Sequence, residues 1–199
     1  MNIIYLSNNT QLDDLFNWIK SQSDINAEYY SEKIKLVDFE LFKPDLIISY
    51  GYQYIIREDI IARYSEKIIN LHISYLPYNR GADPNLWSIL DNTPKGVTIH
   101  LIDSGVDTGH ILFQKEILFE EADHTLASTY TLLQNEIQSL FKDNWNAICA
   151  SDFKPREQVL VGTTHYKKDF LAIKESLLGN DGWDVPLAKL KFNYMQLKG

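Results

Sequence analysis

Short apolar segments alternating with stretches of helical spacing constrain this chain more than any other feature. Asn2 to Leu6 reads as a strand, Asp45 to Ser49 follows Pro44 as a second, Lys67 to Leu71 is a third and Gly96 to Leu101 a fourth. Between them, Leu12, Leu15, Phe16 and Ile19 recur at helical spacing after a Ser7-Asn8-Asn9-Thr10 turn. Ile56 to Tyr64 reads as a short helix and Ala82 to Leu90 as another. This alternation implies βαβ units, so the expected fold is α/β, an open, largely parallel Rossmann-like sheet with helices on both faces. Such a sheet places its functional residues at the carboxyl ends of the strands. Ile111 to Phe119 adds a strand or hairpin arm. Leu126 through Ile148 supplies a long amphipathic helix, with Leu133, Ile137 and Phe141 on its apolar face.

With 199 residues the chain has enough material for one substantial core and is marginal for two. The expectation is a single domain over 1–199, with a core to about 155 and an extension over about 156–199 packed on it. Ser176 to Asn180 and Trp183 to Leu190 read as short helical segments of that extension. A formal charge of -8 argues against a broad basic surface for nucleic acid. No run approaches a membrane span, and Met1 to Leu6 lacks the basic region of a signal peptide. Cys149, the lone cysteine, has no partner for an intrachain disulfide, so a cytoplasmic location is expected. Exposed aromatics such as Trp145 and Phe153 suit a dimer face or a monomer core equally, which leaves the oligomeric state open. The first turn lacks a three-glycine dinucleotide pattern, and the chain has no Gly-Lys-Ser or Gly-Lys-Thr loop. His110 and His124 lack partners at ligand spacing, and Asp103 with Asp107 does not make a metal site, so no metal is expected.

The candidates for chemistry follow the third and fourth strands. Asn70-Leu71-His72 ends one, and Asp103-Ser104-Gly105-Val106-Asp107-Thr108-Gly109 follows the other. Taken singly, each residue has an ordinary structural reading: a strand-end asparagine, a polar loop histidine, a turn aspartate. Together they bring amide, imidazole and carboxylate to one edge, the groups that an amine needs to attack an acyl donor. The amide polarises the carbonyl or holds an oxyanion. The imidazole relays a proton, and the carboxylate orients it or takes the amine proton. No serine or cysteine nucleophile is required, because the acceptor amine, in its neutral form, attacks.

Asn70 to Pro77, Gly96 to His100 and Asp107-Thr108-Gly109 resemble the folate-dependent formyltransferase family over about residues 1–165. That family usually reads Asn-x-His-Pro-Ser-x-Leu-Pro. Ile73 stands at the usual proline, which changes loop stiffness but removes no functional group. The resemblance implies the formyltransferase type of the Rossmann-like sheet and N10-formyltetrahydrofolate as formyl donor. It implies that Asn70 bonds the formyl oxygen, His72 stabilises the intermediate, and Asp107 sets the imidazole's protonation. It also places the folate along Tyr50, Gly51, Tyr52 and Ile55 and near Ile102, Asp103 and Val106. Without it, Gly51 simply permits a turn while Tyr52 and Ile55 pack in the core.

The acceptor is expected to meet Asn9, Tyr78, Arg80, Asp83 and His165. Arg80 suits a phosphate or carboxylate, and Asp83 an amine or hydroxyl. The alternative is a plain connection with Pro84 in the first turn of the next helix. Trp87 and His100 read as structural.

Within the family, the chain resembles small bacterial nucleotide-amino-sugar N-formyltransferases of the pseudaminic-acid pathway, which use a UDP-linked 4-amino-4,6-dideoxy sugar, and the formylation domains of nonribosomal peptide synthetases. The alternatives are therefore formylation of a carrier-bound aminoacyl group, of glycinamide ribonucleotide, or noncatalytic folate binding. Transfer-RNA formylation is disfavoured, because the family's C-terminal β-barrel does not fit in the 40 residues after Val159.

Overall fold

The computed structural model describes residues 1–199, apart from the side chain of Gln11. The chain opens with β1 (Asn2–Leu6), α1 (Asp13–Lys20), β2 (Asn26–Tyr30), α2 (Leu36–Phe42), β3 (Leu46–Ser49), α3 (Glu58–Arg63) and β4 (Ile68–His72). It continues through β5 (Arg80–Gly81), α4 (Pro84–Leu90), β6 (Gly96–Leu101), β7 (Ile111–Glu116), α5 (Leu126–Asp143) and α6 (Trp145–Cys149). It closes with β8 (Thr164–His165), α7 (Lys167–Leu171), α8 (Lys174–Leu178) and α9 (Leu187–Lys198). Six strands form one sheet in the order β2-β1-β3-β4-β6-β7. The pairs β1/β2, β1/β3 and β3/β4 are parallel, as the alternation implies.

The chain divides into two compact units. The first comprises Met1–His72, Ile99–Leu112 and Asn144–Glu157, and the second the remainder. In the first unit, Ile3, Ile4, Tyr5 and Leu6 of β1 and Leu46, Ile47 and Ile48 of β3 are all buried. These continuous apolar runs are what strands covered on both faces require. Ile4, Leu6, Phe39, Ile47, Ile60 and Ile68 form one core cluster, with Tyr52 and Ile102 packed against it. The register sets Ser49 opposite Asn70 at the carboxyl ends of β3 and β4.

In the second unit, Leu86, Trp87 and Ile89 of α4 share a core with Leu126, Phe170, Leu177, Leu178, Val185, Leu187 and Leu190. β5 pairs in parallel with β8, Arg80 opposite Thr164 and Gly81 opposite His165. The expected long helix over 126–148 is interrupted. α5 stops at Asp143, and Asn144 adopts a non-helical φ of -104 and ψ of 11 before α6. Asp143-Asn144 explains the break, since both side chains compete for backbone hydrogen bonds.

Candidate active site

Asn70 and His72 are two residues apart on β4 and therefore share one face of the sheet. Both meet the same carboxylate. Asn70 Nδ2 donates to Asp107 Oδ1 at 3.2 Å, and His72 Nδ1 lies 3.7 Å from Asp107 Oδ2. The three residues predicted to carry the chemistry are thus brought together within the first unit.

The loop before β7 is built to hold Asp107 there. Asp103 Oδ1 accepts from Gly105 N at 3.0 Å and from Thr108 Oγ1 at 2.7 Å, closing the loop on itself. Asp107 has a φ of +51, a left-handed conformation that aspartate tolerates better than most residues. Gly109 lies directly against the Leu101 carbonyl, and Leu101 N donates to His110 O at 2.9 Å. Asp103, one of the residues predicted to read the folate, therefore acts first as the brace of this loop.

The sequence assigns His100 a structural place in a buried strand; in the structure its ring also contacts Asn70 and Asp107. Nε2 lies 3.2 Å from Asn70 Nδ2 and 3.4 Å from Asp107 Oδ1, and Nδ1 lies 2.8 Å from the Leu101 carbonyl oxygen. The signal was available: an imidazole inside a fully buried strand must find polar partners, and His100 precedes Asp107 by one loop.

Tyr50 is buried, and Gly51 turns the chain with a φ of +65. A Cβ on Gly51 would lie 2.9 Å from Leu12 Cδ1 and 3.5 Å from Asn9 Cβ, so this turn and the one carrying Asn9 pack closely. The Tyr52 hydroxyl donates to Glu32 O at 2.8 Å and accepts from Ile34 N at 3.1 Å, bracing the segment ahead of α2. Burial raises the pKa of that phenol. Ile56 points into the core, whereas Ile55 is 87% exposed and Val106 44% exposed. Among the described residues no group of three or more His, Cys, Asp or Glu is placed to hold a metal ion. No helix among them is long and apolar enough to cross a membrane.

In the second unit, the β5/β8 pair brings the Arg80 and His165 segments side by side. Arg80 Nε and Nη2 both donate to Gln158 Oε1, at 3.0 and 2.7 Å, so a neutral oxygen holds the guanidinium. His165 stacks on Trp87 with ring centroids 4.1 Å apart and planes 4° from parallel. Its Nε2 is 2.9 Å from Asp91 Oδ2. Tyr78 is half-buried. Gln158 and Asp91 carry no local signal in the sequence, because their contacts arise only from pairing with distant residues.

Asp83 precedes Pro84, the first residue of α4, and adopts a φ of +53. Burial pushes its carboxyl pKa up, opposed by Lys167 and Lys174. A carboxyl whose pKa is higher folded than unfolded binds more protons when folded, so stability falls as pH rises through that window. Asp83→Asn keeps the tolerance for a left-handed backbone and removes the titration. It is expected to melt higher than the parent at neutral pH, with the gap closing in acid below the ordinary carboxylate range. A constant gap across a pH series of melting curves would contradict this.

Residues 15–142 match the family model described as formyl transferase. The chain belongs to this family. A dTDP-4-amino-4,6-dideoxyglucose formyltransferase of Mycobacterium bovis is 33% identical over 116 residues, covering 58% of this chain and 49% of the relative. A methionyl-tRNA formyltransferase of Clostridium botulinum is 33% identical over 180 residues, covering 83% and 56%. The chain spans about half the length of these curated relatives. Among solved structures, the formyltransferase PseJ from Anoxybacillus kamchatkensis, in complex with UDP-4,6-dideoxy-4-formamido-L-AltNAc and tetrahydrofolate, superimposes with a TM-score of 0.84. It is 42% identical and covers 96% of this chain and 97% of that one. A 4-N formyltransferase from Francisella tularensis, 23% identical, shares the fold with a TM-score of 0.78 over 98% of this chain and 87% of that one.

Proposed function

We propose that this formyl transferase moves the formyl group of N10-formyltetrahydrofolate to the primary amine of a nucleotide-linked 4-amino-4,6-dideoxy sugar, UDP-linked and destined for pseudaminic acid. The observation that carries the transfer is the convergence of Asn70 and His72 on Asp107. The acceptor reading is supported by the 42% identity to a formyltransferase that holds a UDP-linked 4-formamido sugar.

The folate supplies the activated formyl group. Ile55, Ile102 and Val106 offer apolar walls for its ring, and the backbone near Gly51 and over 102–107 offers polar edges. Asn70 donates an amide hydrogen to the formyl oxygen as negative charge grows there. Asp107 offsets positive charge on His72 and receives the proton lost by the attacking amine. His72 passes a proton on to the departing nitrogen. Proximity and orientation supply the rest, with no covalent enzyme intermediate and no metal.

Tyr78, Arg80, Asp83 and His165, with Asn9, are proposed to bind the acceptor, Arg80 through its phosphates. We further propose that residues 1–199 act as one formyltransferase domain, with its core to about 155 and the remainder an extension, in the cytoplasm.

The test compares kcat/KM for matched UDP-amino, dTDP-amino and carrier-bound amine acceptors with N10-formyltetrahydrofolate, and locates the new formamide. The UDP-linked 4-amino sugar is expected to lead by about tenfold or more, a margin that polar recognition can supply. Efficient formylation of a carrier-bound aminoacyl group alone would replace the sugar reading. Folate binding without transfer to any primary amine would leave a noncatalytic folate-binding protein.

A further inference from the structure

We propose that His100 is a positioning residue for the transfer: as a neutral ring carrying its proton on Nδ1, it anchors one amide hydrogen of Asn70 and so directs the other toward the reacting oxygen. The proposal rests on the formyl-transfer reading of this site.

The ring is 1% exposed in a strand whose residues are all buried, so both nitrogens must be satisfied inside the protein. Nδ1 lies 2.8 Å from the Leu101 carbonyl oxygen, which only accepts, and therefore Nδ1 carries a hydrogen. Nε2 lies 3.2 Å from Asn70 Nδ2, an amide nitrogen that only donates, and therefore Nε2 presents its lone pair. The two contacts together fit the neutral tautomer with its hydrogen on Nδ1; a hydrogen on Nε2 would turn instead to Asp107 Oδ1, 3.4 Å away, which is the outcome the NMR measurement below tests against. Turning the Asn70 amide over would set its oxygen against both this lone pair and the Asp107 carboxylate, three acceptors with no hydrogen between them.

Asn70 has two amide hydrogens. One goes to His100 Nε2 and the other to Asp107 Oδ1, each at 3.2 Å. With the first held by a buried ring, the amide plane cannot rotate without breaking that bond. The second hydrogen, which rests on Asp107 Oδ1, is then restricted to the arc beside that carboxylate, and it swings from Oδ1 to the formyl oxygen as charge gathers there. The carboxylate divides accordingly: Oδ2 faces His72, while Oδ1 faces Asn70 and His100. A donor fixed in advance favours the transition state more than the bound ground state. Losing the anchor should therefore slow turnover without weakening substrate binding.

Two measurements test this. In the first, His100→Leu removes the acceptor and His100→Gln restores one near the Nε2 position. His100→Leu is expected to lose roughly tenfold or more in kcat, a lesser effect than removing the amide donor itself, with KM for both substrates little changed. His100→Gln should recover most of that loss. A folded His100→Leu with parental kcat, a change confined to KM, or a His100→Gln no faster than His100→Leu would each overturn the proposal. The second needs no variant. Nitrogen-15 NMR of the imidazole rings in the intact protein should show His100 with a protonated Nδ1 and an unprotonated Nε2 at neutral pH. A proton on Nε2 would overturn it. If Asn70→Ala leaves transfer intact, the reading of the site has failed. If Asn70→Ala is slow while the His100 variants are not, only this proposal has failed.

Discussion

Asn70→Ala, His72→Ala and Asp107→Asn are each expected to slow single-turnover formyl transfer by about 100- to 1,000-fold, the cost of losing one oxyanion-hole donor or its proton-handling partner. Asparagine is chosen at 107 because the backbone there has a φ of +51, and alanine would add strain unrelated to the chemistry. Losses in folding stability should be smaller. Asn70→Ala removes the amide that donates to His100 Nε2 and to Asp107 Oδ1, and losing a hydrogen bond from a buried group costs about 1–3 kcal/mol. Circular dichroism and melting curves on each variant separate the two effects. Near-parental rates in all three, with the fold intact, would remove the basis for the constellation. In the parent, the rate should first climb with pH as more acceptor amine becomes neutral, then fall when the catalytic groups or substrate binding lose their working charge states.

The parts of this molecule that were legible in its sequence are those whose signal is local. β6 matches the expected Gly96 to Leu101 because Val97, Ile99 and Leu101 alternate at strand spacing after a Pro94-Lys95 turn. α4 begins at Pro84, where a proline suits a first helical turn. β2 escaped notice. Asn26-Ala27-Glu28-Tyr29-Tyr30 lies at the edge of the sheet with no buried residue, and its strand character comes from pairing with β1. α2 is only seven residues long and ends at Lys43 in a left-handed conformation ahead of Pro44, too short for a helical period to stand out. The site divides the same way. Asn70, His72 and Asp107 are polar residues at the ends of apolar runs, and so visible. His100 sits within such a run and shows its polarity only through residues that the fold delivers. Gln158 meets Arg80 across 78 residues of chain, a contact that no window of sequence contains.

Gly109→Ala should be among the most damaging single substitutions in the first unit. A Cβ at Gly109 would sit 1.8 Å from the Leu101 carbonyl oxygen and 2.7 Å from its carbon. Both are backbone atoms, so no side chain can swing aside to make room. Leu101 N also donates to His110 O at 2.9 Å, and Ile102 N donates to Ile68 O at 2.9 Å. The backbone that would have to yield is therefore the segment tying β6 to both the Asp107 loop and β4. Overpacking against fixed backbone costs about 2–4 kcal/mol. For a chain of this size that corresponds to a fall in melting temperature of roughly 5–15 °C. The displacement should also move Asp107, two residues upstream, away from Asn70 and His72, so the folded fraction should turn over more slowly than the parent. Gly182→Ala is the control. A Cβ there meets nothing within 4 Å, so its cost is backbone strain alone: a φ of +58 with a ψ of -137 lies in a region that glycine adopts far more readily than alanine, at about 1–3 kcal/mol. If the two variants melted together, close packing at Leu101 would not be what holds the Asp107 loop. If Gly109→Ala melted well below Gly182→Ala and kept parental turnover, the loop's link to catalysis would be the part to abandon.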